Sequence, residues 1–353
     1  MNVLMIGCDK STKGGMWKVV ENYLESDKFM SFTNLKYIPT SITGKFWHKI
    51  NFTFNAYLKI IKYIFKNKPN ILHVHMSERG SVFRKGLIIY LAHFLGIKII
   101  IHMHGAEFEV WYRSQNVFVK RMIIRILNHA DKVIILGRYW FDFISTLVPK
   151  DKIFILHNAV YVPSENEYNV EAKDILFLGV VGKRKGAYDL LEAFKNSLDK
   201  IPSDVNLIYY GPDFENRIVD DIKLKKLSDR VKYMGWLSDE DKKNVFKNTM
   251  INILPSYNEG LPMTILETMA YGIPNISTNI AAIPEVISKN NGIIVTPGQI
   301  DDITSAIVNL VISNKIRLEK SKNAYLTVKS DFSVDIHIEK LIGLYRDVLK
   351  GEY

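Results

Sequence analysis

Short apolar runs recur along this chain, each stopping at a glycine, a histidine or a polar turn and each followed by a stretch of helical periodicity. Few folds accept that pattern. Residues 3–7, 71–75, 98–102, 132–136 and 153–156 read as strands. Helical spacing runs between them, through Trp17, Val20 and Leu24, then over 46–68, 83–95 and 119–127. Strands that alternate with helices in this way predict a parallel, doubly wound sheet. The pattern is interrupted at residues 157–164 by turn residues and Pro163, and by the polar run 165–169. It then restarts, with strands expected at 175–178, 206–210, 231–234, 250–254 and 275–278. Two Rossmann-like α/β domains are therefore expected, 1–158 and 159–333. A last amphipathic helix has no strand after it, so residues 334–353 are expected to pack back on the first domain.

A length of 353 residues allows two cores of ordinary size, and 47% apolar against 24% charged residues is the balance of a soluble globular chain. Cys8 is the single cysteine, which excludes an internal disulfide and fits a reducing compartment. The first seven residues have no basic leader and run into a charged turn, so they read as a first strand and not as a signal peptide. The greasiest region, 86–101, is broken by His93, Gly96 and Lys98 and reads as a helix followed by a strand. Charge is uneven: residues 1–160 hold 23 Lys and Arg against 10 Asp and Glu, and residues 161–353 hold 24 against 27. The first half alone is thus suited to an anionic surface or ligand. Within it, residues 46–68 interleave Phe46, Trp47, Phe54, Tyr57, Tyr63 and Phe65 with Lys49, Lys59, Lys62 and Lys66 at helical spacing. That stretch suits either a bilayer surface or a core-facing helix with a basic outer side.

Three loops concentrate polar chemistry. Ser11-Thr-Lys-Gly-Gly15 stands between the first strand and the first helix, where Gly14 and Gly15 make a possible phosphate cradle. Gly182-Lys-Arg-Lys-Gly186 occupies the same place in the second half. The third loop, Pro255-Ser-Tyr-Asn-Glu-Gly-Leu-Pro262, follows a buried strand and opens a short helix that Gly272 and Pro274 stop. Glu259 precedes that helix and Glu267 lies on it, about 200° around the wheel from Ile265 at roughly 100° per residue, so its carboxylate need not enter the core. Backbone N–H groups near Gly260 and Leu261 would face an anion. Ligands of doubly wound sheets sit outside the carboxyl ends of the strands, which is where Gly14, Gly15, His104, Lys185, Glu259 and Glu267 fall, so they are expected to converge on one cleft.

Glu259 and Glu267 form a Glu-x7-Glu pattern inside a longer Pro-Ser-x-x-Glu-Gly-x-Pro-x-x-x-Leu-Glu string. That string resembles the retaining glycosyltransferases of family GT4, which have the GT-B fold. The likeness extends over nearly the whole chain. It takes in Lys13-Gly14-Gly15, His104-Gly105, Ile155-Leu-His-Asn158, the loop 179–186, Gly211-Pro212, Gly235, Ala281-Ala-Ile-Pro-Glu285 and the final helix.

The resemblance implies transfer of a hexose or N-acetylhexosamine from a nucleotide diphosphate sugar, most readily a UDP-sugar, to a hydroxyl, with retention at the anomeric carbon. Lys185 would then meet the diphosphate, with Gly14, Gly15 and the N–H groups near Gly260 and Leu261 adding donors and Pro262 lining the site beside them, because a leaving diphosphate gathers negative charge. Glu259 would bind hydroxyls of the donor sugar and Glu267 those of the ribose. His104 would lie beside the sugar, with Glu107 as a possible acceptor-side group, while Met234 and Gly235 would pass under the base. No metal or other cofactor is implied, and no His/Cys cluster at ligand spacing stands ready to hold one. His73 and His75 read as structural. The chain departs from the family at Val180, where an arginine is usual; Arg184 or Lys183 takes that role, or Lys185 works alone. His157-Asn158-Ala159 in place of Pro-Asn-Gly reads as a hinge variation. A lipid-linked acceptor would suit the basic first domain, giving a peripheral enzyme on the inner face of a bacterial membrane that builds surface polysaccharide. Two rivals stand beside this: another GT-B enzyme such as a nucleotide-sugar epimerase, and a non-catalytic basic protein for membrane or nucleic acid. The second leaves Lys185, Glu259 and Glu267 without a purpose, and nucleic acid is not an expected partner.

Overall fold

The computed structural model describes residues 1–12 and 14–351. Lys13, which the sequence placed in the first glycine loop, lies outside them, as do the last two residues of the expected terminal helix.

In chain order the first elements are β1 (Asn2–Cys8), α1 (Gly15–Glu25), α2 (Asp27–Phe32), β2 (Asn34–Ser41), α3 (Phe46–Asn67), β3 (Ile71–Met76), α4 (Gly80–Phe94) and β4 (Lys98–Met103). There follow α5 (Phe108–Arg113), α6 (Val117–Asn128), β5 (Lys132–Ile135), α7 (Phe141–Ser145) and β6 (Ile153–Ile155). The pattern resumes with β7 (Asp174–Leu178), α8 (Ala187–Ser197), β8 (Asn206–Tyr210), α9 (Ile218–Leu224), β9 (Val231–Tyr233), α10 (Asp239–Lys247) and β10 (Thr249–Leu254). Last come α11 (Met263–Ala270), β11 (Asn275–Thr278), β12 (Gly292–Val295), α12 (Ile300–Ile312), α13 (Asn314–Asp331) and α14 (Val334–Lys350). Two compact units result: Met1–Asn158 with Val334–Tyr353, and Ala159–Ser333. Among the described residues no helix is long and apolar enough to cross a membrane.

The first unit holds a parallel six-stranded sheet in the order β2-β1-β3-β4-β5-β6. Alternation along the strands gives it two different faces. Leu4, Ile6, Leu72, Val74, Ile99 and Ile101 enter an aliphatic core with Ile60 and Ile64 of α3, Ile88 and Ile89 of α4, and Ile123 of α6. Each such side chain, fully buried, contributes on the order of 1.5–3 kcal/mol. The opposite face is aromatic and polar: His73, His75 and His102 lie there under Tyr23 of α1, with Tyr345 of α14 against His73. Tyr345 and His337, both buried, give α14 two polar anchors on this unit: the Tyr345 hydroxyl meets His73 Nδ1 at 2.6 Å, and His337 Nε2 meets the Tyr23 hydroxyl at 2.7 Å.

Helix α3 behaves differently from a core helix with a merely basic exterior. Ala56, Ile60 and Ile64 face the core, but Trp47, Ile50, Phe54, Leu58, Ile61 and Phe65 form a second stripe at spacings of three and four that faces solvent. Trp47 is 77% exposed and Phe54 60%, a degree of apolar exposure that core packing does not explain.

The second unit repeats the architecture with β12-β11-β10-β7-β8-β9, again all parallel. Strand order reverses between β7 and β10, since β8 and β9 extend the sheet to one side and β11 and β12 to the other. That is the point at which a parallel sheet opens a crevice at its carboxyl edge. In the first unit the reversal falls between β1 and β3.

Candidate functional site

At the carboxyl end of β7, Gly179 begins a loop that closes in a single tight turn at 183–185, and Gly186 follows in the left-handed region at φ +69°. A Cβ on Gly186 would stand 2.1 Å from the carbonyl oxygen of Pro255, so only glycine lets this loop lie against the one leaving β10. Gly211, at φ +130°, is equally constrained: a Cβ there would meet the Gly179 carbonyl at 1.8 Å, and its N–H donates to the Gly235 carbonyl at 2.7 Å. The β7, β8 and β9 loops are thereby tied edge to edge at one end of the sheet.

Two further bonds clamp the β7 and β10 loops together. Tyr257 N–H donates to the Arg184 carbonyl at 2.8 Å, and Arg184 Nη1 donates to the Asn258 carbonyl at 2.8 Å. Inside that clamp Lys185 Nζ donates to Glu259 Oε1, with the two side chains only 14% and 7% exposed. Ser256 Oγ donates to the same carboxylate oxygen at 2.8 Å, and the Ser256 carbonyl accepts from Thr278 Oγ1 at 2.7 Å. The structure thus brings Lys185 and Glu259 into direct contact at the reversal point of the sheet, with a serine fixing the carboxylate. Ser256 stood in the motif string but was given no role there, because nothing in its spacing shows where a hydroxyl will point.

Helix α11 begins at Met263, with Pro262 at its N-cap. Gly260 and Leu261 precede it, and the Gly260 carbonyl accepts from Ala282 N–H at 3.3 Å. Glu267 occupies the second turn, partly buried, and its carboxylate accepts from Lys242 Nζ of α10 at 2.9 Å. Burial opposes the charge on Lys242, but Glu267 and Asp239 together outweigh it and hold the ammonium above its usual range. Lys242 carries no motif, and only the packing of α10 beside α11 reveals it. Asp239-Glu240-Asp241 spells an Asp-x-Asp, but these residues open α10 behind the Ser238 cap: Asp239 pairs with Lys242, and Asp241 accepts from Ser238 Oγ at 2.6 Å. Lys183 is exposed beside Arg184, and Arg184 already has a structural hydrogen bond.

In the first unit Gly14 stands at the N-cap of α1, with open space around it and its carbonyl accepting from Lys18, and Gly15 is the first helical residue. His104 sits one residue beyond β4, its N–H donating to the Met76 carbonyl at 2.7 Å. Gly105 follows because a Cβ would strike Glu78 Oε2 at 2.1 Å. Burial, together with the positive potential of His73, Lys85 and His337, pushes the His104 imidazole down to about 3, so it is neutral at physiological pH. Its Nε2 lies 2.9 Å from His75 Nδ1. Glu107 is engaged by Arg79 at 3.1 Å.

One expectation requires correction. No histidine cluster at ligand spacing was visible in the sequence, yet one nitrogen each of His73, His75 and His102 lie within 4.8 Å of one another. The ligand atoms come from two adjacent strands whose register pairs His75 with His102, and linear spacing cannot display that.

Both halves of the chain match known families. Residues 163–327 match the glycosyl transferases group 1 family, and residues 25–162 match glycosyltransferase family 4. A UDP-Gal:α-D-GlcNAc-diphosphoundecaprenol α-1,3-galactosyltransferase of Escherichia coli is 25% identical over 324 residues, covering 83% of this chain and 79% of that protein. A capsular polysaccharide biosynthesis glycosyltransferase of Staphylococcus aureus is 26% identical over 318 residues, covering 83% and 80% respectively. Among solved structures, the sucrose-phosphate synthase of Thermosynechococcus elongatus superposes over 99% of this chain and 100% of its own, with a TM-score of 0.81 at 15% identity, a likeness of fold. With both of its units matched in family and its fold of the GT-B class, the chain belongs to the group 1, family 4 glycosyltransferases.

Proposed function

We propose that this glycosyltransferase moves a hexose or N-acetylhexosamine, with retention, from a UDP-sugar to a hydroxyl of a lipid-linked or oligosaccharide acceptor in bacterial surface-polysaccharide assembly. The observation that carries the reading is the contact of Lys185 with Glu259 at the reversal point of the second sheet, where the sheet's crevice opens. The names of the relatives supply the substrate class: one uses UDP-galactose and a diphosphoundecaprenol-linked sugar, and another serves capsule synthesis.

In this reaction the bond between the anomeric carbon and the diphosphate oxygen breaks, and a bond from the acceptor oxygen forms on the same face. The acceptor proton passes to the departing diphosphate. The Lys185 ammonium is the preorganised cation for that leaving charge, and Gly14, Gly15 and the backbone N–H groups near Gly260 and Leu261 are the candidate further donors, with Pro262 lining the site beside them. Arg184 supplies a second cation in place of the residue missing at Val180. Glu259, already holding one hydrogen bond from Ser256, accepts from donor-sugar hydroxyls through its remaining lone pairs. Glu267 accepts from the ribose hydroxyls, with Lys242 holding its carboxylate in place by a hydrogen bond. Gly235 lies under the base. A neutral His104 offers one N–H or one lone pair to the sugar, and it does not act as a charged acid. The Lys185 cation serves where other transferases use a divalent ion, so no metal at the diphosphate is part of this reading.

The exposed apolar stripe of α3, flanked by Lys59, Lys62 and Lys66, is suited to anionic bilayer and would bring the first unit to a lipid-linked acceptor on the inner face of the membrane. A screen of nucleotide sugars by slow hydrolysis and thermal shift tests the donor. Saturable UDP-sugar binding that disappears in Glu267→Ala supports the enzyme, and binding indifferent to that change removes it. Flotation with liposomes should require anionic lipid and should weaken in Trp47→Ser/Phe54→Ser; flotation that ignores lipid charge overturns the membrane part.

A further inference from the structure

Strands β3 and β4 turn His73, His75 and His102 to one face of the first sheet, all three with 0% exposure. Four of their ring nitrogens, Nε2 of His73, Nε2 of His75 and both of His102, have no hydrogen-bond partner among the described residues. Buried polar atoms are ordinarily paired, so four orphans in one place ask for a ligand. We propose that His73, His75 and His102 form a buried three-imidazole site for a transition-metal ion of the zinc class.

The partners of the remaining nitrogens fit that role. His73 Nδ1 meets the Tyr345 hydroxyl at 2.6 Å and His75 Nδ1 meets His104 Nε2 at 2.9 Å. Imidazoles that ligate metals characteristically use their second nitrogen in this way, which fixes the tautomer and aims the ring. Nitrogen donors without a carboxylate exclude magnesium and calcium and favour zinc, cobalt, nickel or copper. Bonds of about 2.0–2.1 Å set tetrahedral edges near 3.3 Å, so the present 4.8 Å envelope must contract by about 1.5 Å. His102, tethered by no hydrogen bond, is the ring with freedom to do so. Its ring centroid lies 5.2 Å from that of His75 and 5.5 Å from that of His73. Burial means that the ion enters as the unit folds. Ligation through His75 Nε2 would also place the His75 proton on Nδ1, pointed at His104 Nε2, and so hold His104 in its Nδ1–H form. The site is separate from the Lys185–Glu259 pair and meets the transferase reading only through His104, so metal binding by the three rings can be tested without any transferase assay.

The test uses the untagged full chain, unfolded in chelator and refolded with Zn2+, Co2+ or Mg2+, then desalted for elemental analysis. About one equivalent of zinc or cobalt per chain is expected, with tetrahedral cobalt absorption in the visible and no retained magnesium. His102→Leu removes only partnerless nitrogens, so it should fold with an unchanged far-ultraviolet spectrum and lose the ion; His102→Gln serves if the leucine variant does not fold. The exposed-site control His48→Ala should keep the ion. Wild type refolded with under about a tenth of an equivalent of both metals, or a full equivalent surviving in His102→Leu, overturns the proposal.

Discussion

Replacing Lys185 by Met would leave the Glu259 carboxylate, 7% exposed, with Ser256 Oγ as its one remaining side-chain hydrogen bond. Breaking a buried pair by removing one partner costs about 3–5 kcal/mol, because the survivor is desolvated without compensation. At roughly 2–4 °C per kcal/mol for a unit of this size, the second unit should melt about 6–20 °C lower. The reverse change, Glu259→Gln, should cost clearly less. Gln keeps an oxygen for Ser256, and the longer, 14% exposed lysine can swing its ammonium toward water. The double variant should recover most of the Lys185→Met loss, since the unpaired charge is gone. Urea unfolding of the four proteins, followed by far-ultraviolet circular dichroism, closes the cycle. Lys185→Met stability within about 0.5 kcal/mol of wild type, or a double variant no better than that single one, would refute the buried pair as the element that preorganises this site.

Three further outcomes follow from the same geometry. Glu259→Gln should lower turnover more than nucleotide affinity and Glu267→Ala the reverse, read as kcat against KM and by UDP calorimetry; the opposite split removes the sugar and ribose assignments. Gly186→Ala must place a Cβ 2.1 Å from the Pro255 carbonyl at a positive φ, so it should destabilise the second unit by more than about 2 kcal/mol in urea, and a neutral effect would contradict the described loop contact. Burial lowers His337 to about 4, against an ordinary value near 6.5, so the folded first unit binds fewer protons than the unfolded chain between those values. The stability this group contributes is complete above about 6.5 and falls with acidification, by roughly 2 kcal/mol at pH 5, a loss that His337→Gln should remove from the pH profile of unfolding.

The strands that meet the core on both faces were legible because each is a compact apolar run. Of the four edge strands, β6 and β9 were legible and the other two were not. β2 exposes Asn34 and Lys36 and contains Pro39, tolerable at an edge, so its sequence resembles a loop. β12 is four residues opened by Gly292, a run too short to stand out. At the site, Lys185, Glu259 and their flanking glycines were legible from the motif, since backbone contacts at Gly186 and Gly211 demand particular residues at particular places. Lys242 beside Glu267, Ser256 beneath Glu259 and the histidine trio were not, because each depends on which elements lie side by side. The stripe on α3 falls between these cases: its period was visible, but only packing shows that a second apolar side stays in solvent.

Retention is the claim from which the residue roles follow. Proton nuclear magnetic resonance of the first product formed from an α-linked UDP-sugar and a matching acceptor would read it directly. An α-linked product, formed by wild type and reduced in Lys185→Met and Glu259→Gln, is the predicted result; a β-linked product, or UDP-sugar untouched across the full donor screen, would contradict the account.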